Sequence, residues 1–156
     1  MERIETSEEN GVDDAQSRVR EQAEQFRRVR EAHQTEVAED YVELIADLIE
    51  HTGEARVVDL AERLGVTNAT VNNTIQRLQR DGFVTSRPYR SIFLTAKGRE
   101  LADMASDRHR TVRDFLIHLG VDPAVADADA EGIEHHVSDA TLNAFRAHLR
   151  RKRSTR

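Results

Sequence analysis

The stretch AEGIEHHVSD, Ala130 to Asp139, sets two glutamates and two histidines within six residues. On a helix, Glu131, Glu134 and His135 stand at i, i+3 and i+4 and share one face. His136 points about 100° away. Taken alone, such a triplet fits either a solvated face or part of a metal site. Two other places carry matching chemistry. In EDYVELI, Asp40 and Glu43 are again at i, i+3, and DRHRTVRDFL places His109 in the middle of a long helix. Each has a bland reading, as a solvated pair or as a core or surface histidine. Carboxylates and imidazoles together form a donor set for a divalent cation. The chain has no cysteine, which excludes disulfides and thiolate ligation.

The elements that must carry these residues follow from periodicity and punctuation. Met1 to Asp13 has almost nothing to bury and reads as a disordered acidic lead-in. From Asp14 to Glu50, apolar residues recur at helical spacing without Pro or Gly, which predicts two helices, or one broken near residues 32–35. Val57–Leu64 reads as a short helix stopped by Gly65. Thr67 is a natural N-cap for the next helix, which ends at Gly82. FVTSRPYRSIFLT reads as two strands, Phe83–Arg87 and Ser91–Leu94, about a Pro88 turn. Thr95 caps a helix running to about His118, Asp122-Pro123 opens another running to about Val137, and Ser138 caps the last.

Two short helices about a Gly-containing turn, then a hairpin, is the order of a winged helix-turn-helix. Val71, Ile75 and Leu78 form the buried face of the second helix. Asn68, Asn72, Asn73 and Gln76 lie opposite and can offer donor and acceptor together, as adenine edges require. Thr67, Thr70, Arg77, Arg87 and Arg90 suit phosphates. A plain polar helix is the competing account, but asparagine is a poor helix-interior residue.

Net charge is −6, yet it is unevenly spread: residues 1–55 hold 6 basic and 16 acidic residues, 56–100 hold 8 and 4, 101–139 hold 3 and 9, and 140–156 hold 6 and none. A basic island between acidic blocks suits phosphate contacts there and cation binding elsewhere. No apolar run approaches the roughly 18 residues of a membrane helix, and no signal peptide is visible. A cytoplasmic protein is expected, with neither membrane nor small-molecule substrate. The sparse aromatics, five Phe and two Tyr, disfavour RNA stacking.

EDYVELI, ARVVDLAERLGVTNATVNNTIQRL, RSIFLTAKG, RHRTVRDFL and AEGIEHHVSD occur in an order that resembles the diphtheria-toxin-repressor family, and more narrowly its manganese transport regulator branch. The resemblance covers about Val37 to Phe145. It implies a mostly α chain: an N-terminal winged helix-turn-helix DNA-binding domain (14–98, with its helical extension) and a C-terminal helical metal-binding and dimerisation domain (99–156). It also implies metal ligands at Asp40, Glu43, His109, Glu131, Glu134 and His135, a double-stranded DNA operator, and a homodimer. C-terminal apolar positions such as Phe115, Leu116, Leu119, Val125, Leu142 and Phe145 suit either the dimer interface or the domain's own core. Iron-sensing relatives carry Met at the position of Asp40 and Cys at that of Glu131. Hard oxygen donors agree with Mn2+, which sits lowest in the divalent affinity order; four carboxylates could balance one or two ions, and Fe2+ or Zn2+ could bind in vitro. The function expected is a Mn(II)-activated repressor of manganese uptake genes. An iron-responsive regulator of the same family and a metal-independent MarR-like regulator are the alternatives. A dinuclear hydrolase would need a substrate cleft, for which the sequence offers no motif.

Overall fold

The structure, a computed structural model, describes residues 7–87 and 90–153, with side chains described at 14–87 and 90–151. The chain divides into two units, residues 1–36 and 37–156. Helix α1, Ser7–Thr52, is continuous through residues 32–35, where a break was one expectation. It begins at Ser7, not Asp14; residues 1–6 of the expected lead-in lie outside the described residues. In the first unit the side chains from Asp14 onward are mostly solvent-facing. Arg18 pairs with Asp14, and Arg27 and Arg28 with Glu24, the i,i+3 and i,i+4 pattern that supports a helix without a core.

In the second unit, apolar side chains of α1 (Tyr41, Ile45 and Leu48) meet α2, Val57–Leu64, and α3, Asn68–Arg80. Gly65 closes α2 in the left-handed region (φ +66°), which glycine adopts without strain. The Thr67 hydroxyl accepts from the Thr70 N–H at 3.1 Å and starts α3. Val71, Ile75 and Leu78 are buried as the periodicity requires.

The hairpin is shorter than expected. Strands β1, Val84–Thr85, and β2, Phe93–Leu94, pair antiparallel, and Ile92 forms an isolated bridge to Ala55. The turn expected at Pro88 lies outside the described residues. Thr95 then ties the wing to helix α4, Ala96–His118. Its hydroxyl donates to the Gly82 and Phe83 carbonyls at 2.6 and 3.1 Å and accepts from the Gly98 N–H.

Asp122 caps helix α5, Pro123–Ile133, by accepting from Ala124 and Val125 N–H. This helix stops four residues earlier than periodicity suggests; Glu134–His136 is a single 3-10 turn before α6, Asp139–Arg153. A second, smaller core joins Val112, Ala130 and Leu142 with Leu116, Val137 and Phe145. Phe115 stacks on Phe145 at 3.9 Å. Of the apolar positions open to either a dimer interface or the domain core, Leu116, Leu142 and Phe145 join this core, whereas Leu119 and Val125 are exposed.

Candidate metal centre

Three elements supply the acids and imidazoles: α1, α4, and the corner between α5 and the 3-10 turn. Among the described residues, His109, Glu131 and Glu134 each place one donor atom within 4.8 Å of the others. His109 Nδ1 is 2.6 Å from Glu134 Oε2 and 3.6 Å from Glu131 Oε1. Glu134 is only 2% exposed, while Glu131 is largely solvent-facing. His135 continues the cluster: its Nε2 lies 3.4 Å from Asp40 Oδ1 and 3.5 Å from Glu134 Oε1. Glu43 stands in the same field, with Glu134, Glu131, His109 and Asp40 all acting on its carboxyl. Asp40 and Glu43 are carried there by one turn of α1, and His109 by the middle of α4. Glu131 and Glu134 meet at His109 as their i, i+3 spacing requires, but they differ in burial: Glu134 is enclosed and Glu131 stays at the surface.

The electrostatics follow from crowding. Glu43 is pushed up to about 7, first by burial and then by the Glu134 and Glu131 carboxylates, against an opposing effect of His109. Burial raises Glu134 as well, although His109 and His135 pull the other way. For His109, burial opposes the charged form, but the Asp127 hydrogen bond and the Glu134 and Glu131 carboxylates outweigh it and raise the ring. His135 is raised in the same manner by Glu39, Asp40 and Glu134. Glu43, Glu134, His109 and His135 thus hold their protons more tightly than usual, since crowded carboxylates favour protonated neighbours. A divalent cation would offset the same negative charge, and the oxygen-rich donor set fits a hard ion.

Sequence reasoning missed two acids bound to the site histidines. Glu39, buried on α1, lies 2.9 Å from His135 Nδ1 and accepts from Arg108 at 3.0 and 3.3 Å. Asp127 lies 3.2 Å from His109 Nε2 and pairs with Arg113 at 3.0 Å. A signal for Glu39 existed: it stands three residues before Val42, which is fully buried, so an acid falls on the core-facing stripe of α1.

On the helix-turn-helix, Asn68, Asn72, Asn73 and Gln76 are exposed along α3, Arg77 is half-buried, and Arg87 and Arg90 are exposed on the wing. Thr67 and Thr70 are exposed too, but their hydroxyls are 3.0 Å apart within the α3 cap.

Comparison with known proteins matches two consecutive family models, described as the iron dependent repressor N-terminal DNA binding domain (residues 33–92) and the iron dependent repressor metal binding and dimerisation domain (residues 95–154). The transcriptional regulator MntR of Escherichia coli O6:H1 is 54% identical over 128 residues, 82% of this chain and 83% of that one. This chain belongs to the iron-dependent repressor family. It is the family to which the motifs point. A second member, the HTH-type transcriptional regulator MntR of Listeria monocytogenes (strain HCC23), is 42% identical over 100 residues, 64% of this chain and 70% of its own. Among solved structures, a manganese-dependent transcriptional repressor in complex with manganese matches with a TM-score of 0.66 at 32% identity, over 72% of this chain and 52% of that one. The manganese regulator SloR matches with a TM-score of 0.63 at 28% identity, over 72% and 53%. The chain thus spans about half the length of the solved family members it matches and about four fifths of the Escherichia coli regulator. These relatives are named as regulators and repressors, not as enzymes. Among the described residues, no helix is long and apolar enough to cross a membrane.

Proposed function

We propose that the chain is a manganese-responsive transcriptional regulator: a Mn(II)-activated repressor of manganese uptake genes that binds a double-stranded DNA operator as a homodimer in the cytoplasm, with no membrane or small-molecule substrate. The observation that carries this reading is the convergence of His109, Glu131 and Glu134, adjoined by Asp40, Glu43 and His135, on the helix that leads into a winged helix-turn-helix. In this reading Asp40, Glu43, His109, Glu131, Glu134 and His135 hold one or two Mn2+ ions, and residues 14–98 and 99–156 are the DNA-binding and the metal-binding and dimerisation regions. Oxygen donors select by hardness and room, since Mn2+ is the weakest binder in the divalent series.

When bound, the ion supplies positive charge shared among donors from α1, α4 and the α5 corner. Glu43, Glu131 and Glu134 otherwise repel one another across that junction. Asp40 and Glu43 sit on α1, whose Ile45 and Leu48 pack in the core with Val71 and Ile75 of α3. A change in where α1 rests against α4 is therefore passed to the recognition helix, and in a homodimer to the separation of two such helices. Asn68, Asn72, Asn73 and Gln76 then face base edges, while Thr67, Thr70, Arg77, Arg87 and Arg90 meet phosphates. Because metal and DNA favour the same arrangement, each raises affinity for the other.

Operator binding measured with and without manganese, for the native chain and for Glu131→Ala, tests the reading. Native binding should rise with manganese and the variant should lose that response; equal binding in all four cases overturns it. Asp40→Met combined with Glu131→Cys should move activation toward iron, the metal preference of relatives that carry those residues.

A further inference from the structure

The imidazole of His135 is gripped at both nitrogens by consecutive residues of α1. Nδ1 lies 2.9 Å from Glu39 Oε2, a hydrogen bond; Nε2 faces Asp40 Oδ1 at 3.4 Å and Glu134 Oε1 at 3.5 Å. The two sides are chemically unequal. Glu39 is held from behind by the Arg108 guanidinium, at 3.0 and 3.3 Å from its two oxygens, and its side chain is 5% exposed. A carboxylate clamped by a guanidinium offers only acceptors. Nδ1 then donates to Glu39, and Nε2 is the nitrogen turned toward Asp40 and Glu134. The clamp draws on three separate elements: Glu39 from α1, Arg108 from α4 and His135 from the 3-10 turn.

We propose that Glu39 is a positioning residue for the metal centre: held by Arg108, it fixes His135 as its Nδ1–H tautomer and aims Nε2 at the acidic cluster. The inference rests on the cation-site reading above. A histidine ligand is oriented by whatever accepts its other N–H, and removing such a partner typically lowers metal affinity about 10- to 100-fold. Nothing in this arrangement places Glu39 among the ligands, since its carboxylate is already engaged by Arg108 and His135.

Two readouts separate positioning from a merely structural ion pair. In the first, the chain with 15N-labelled histidine is freed of metal with a chelator, and the pH is raised until the His135 signals stop moving. Two-bond 1H–15N correlations should then show the His135 proton on Nδ1. The second is calorimetric titration with manganese alone. The variants are Glu39→Gln, which keeps the shape, and Glu39→Met with Arg108→Met, which replaces both buried partners by apolar groups of similar size so that neither is left unpaired. In each, the proton should shift toward Nε2 and manganese affinity should fall about 10- to 100-fold. Native protein with the proton on Nε2, or folded variants that keep either the native tautomer or the native affinity, overturns the proposal, whatever happens to their melting temperature. If the paired variant does not fold, the native tautomer and Glu39→Gln decide. A native chain that binds no manganese would overturn the cation reading instead, and the position of the His135 proton would still decide whether Glu39 sets the tautomer.

Discussion

Replacing Gly98 by alanine should destabilise the protein, against the usual rule for helices. Gly98 is in the first turn of α4, where alanine would ordinarily gain about 1 kcal/mol. Here a Cβ would lie 1.9 Å from the Phe83 carbonyl oxygen, 2.9 Å from its carbon and 3.3 Å from Leu94 Cδ2. A carbon and a carbonyl oxygen touch at about 3.3 Å, so the overlap with the oxygen is about 1.4 Å. That oxygen is not free to retreat. It accepts from the Thr95 N–H at 3.0 Å and from the Thr95 hydroxyl at 3.1 Å, and each bond contributes about 1 kcal/mol. Adding about 1–3 kcal/mol for overpacking and subtracting the propensity gain leaves a net loss of about 2–4 kcal/mol. Urea unfolding of the metal-free protein should show a midpoint lower by about 1–2 M at unchanged slope. Gly132, exposed in α5, supplies the control: nothing lies within 4 Å of the Cβ it would gain. Gly132→Ala should therefore leave stability unchanged or raise it by up to about 1 kcal/mol. A Gly98→Ala midpoint equal to or above native would refute the close approach of α4 to the wing.

Three further outcomes are expected. Glu43 (from 4.5 to about 7), Glu134, His109 and His135 are all raised in the folded state, so that state binds more protons than the unfolded chain. Stability in chelator should then fall as pH climbs from about 4.5 through about 7, less steeply in Glu43→Gln; denaturant midpoints that rise with pH across that window would contradict the clustering. Ile45 is fully buried between α1 and the helix-turn-helix, so Ile45→Ala should cost about 2–5 kcal/mol in chemical unfolding. On DNA, Arg77→Ala should weaken binding to any duplex and reduce the salt slope by about 1. Asn73→Ala should instead cost about 1–3 kcal/mol of discrimination at one base pair; anisotropy titrations over a salt series distinguish the two.

Local punctuation was legible in the chain. Thr67 and Thr95 cap where their spacing places them, Asp122 caps ahead of Pro123, and Gly65 turns the chain between α2 and α3. These features depend on hydrogen bonds that span two to four residues, and a short window contains everything they need. Places where tertiary contacts compete with propensity were less legible. The ladder of the wing shrinks to two residues a strand while Ile92 is drawn onto Ala55. Helix α5 ends at Ile133, a 3-10 turn follows, and Glu134 within it is buried.

The six candidate ligands could be named from residue types, helical spacing and family resemblance, because each element carries its own acids or imidazole at fixed intervals. Which of them go inward, and that Glu39 meets both Arg108 and His135, were decided only by packing. Glu39 meets Arg108 across 69 residues and His135 across 96. The charge of a glutamate is written in the chain, but burial and partners that fix its role come from segments that only folding brings together.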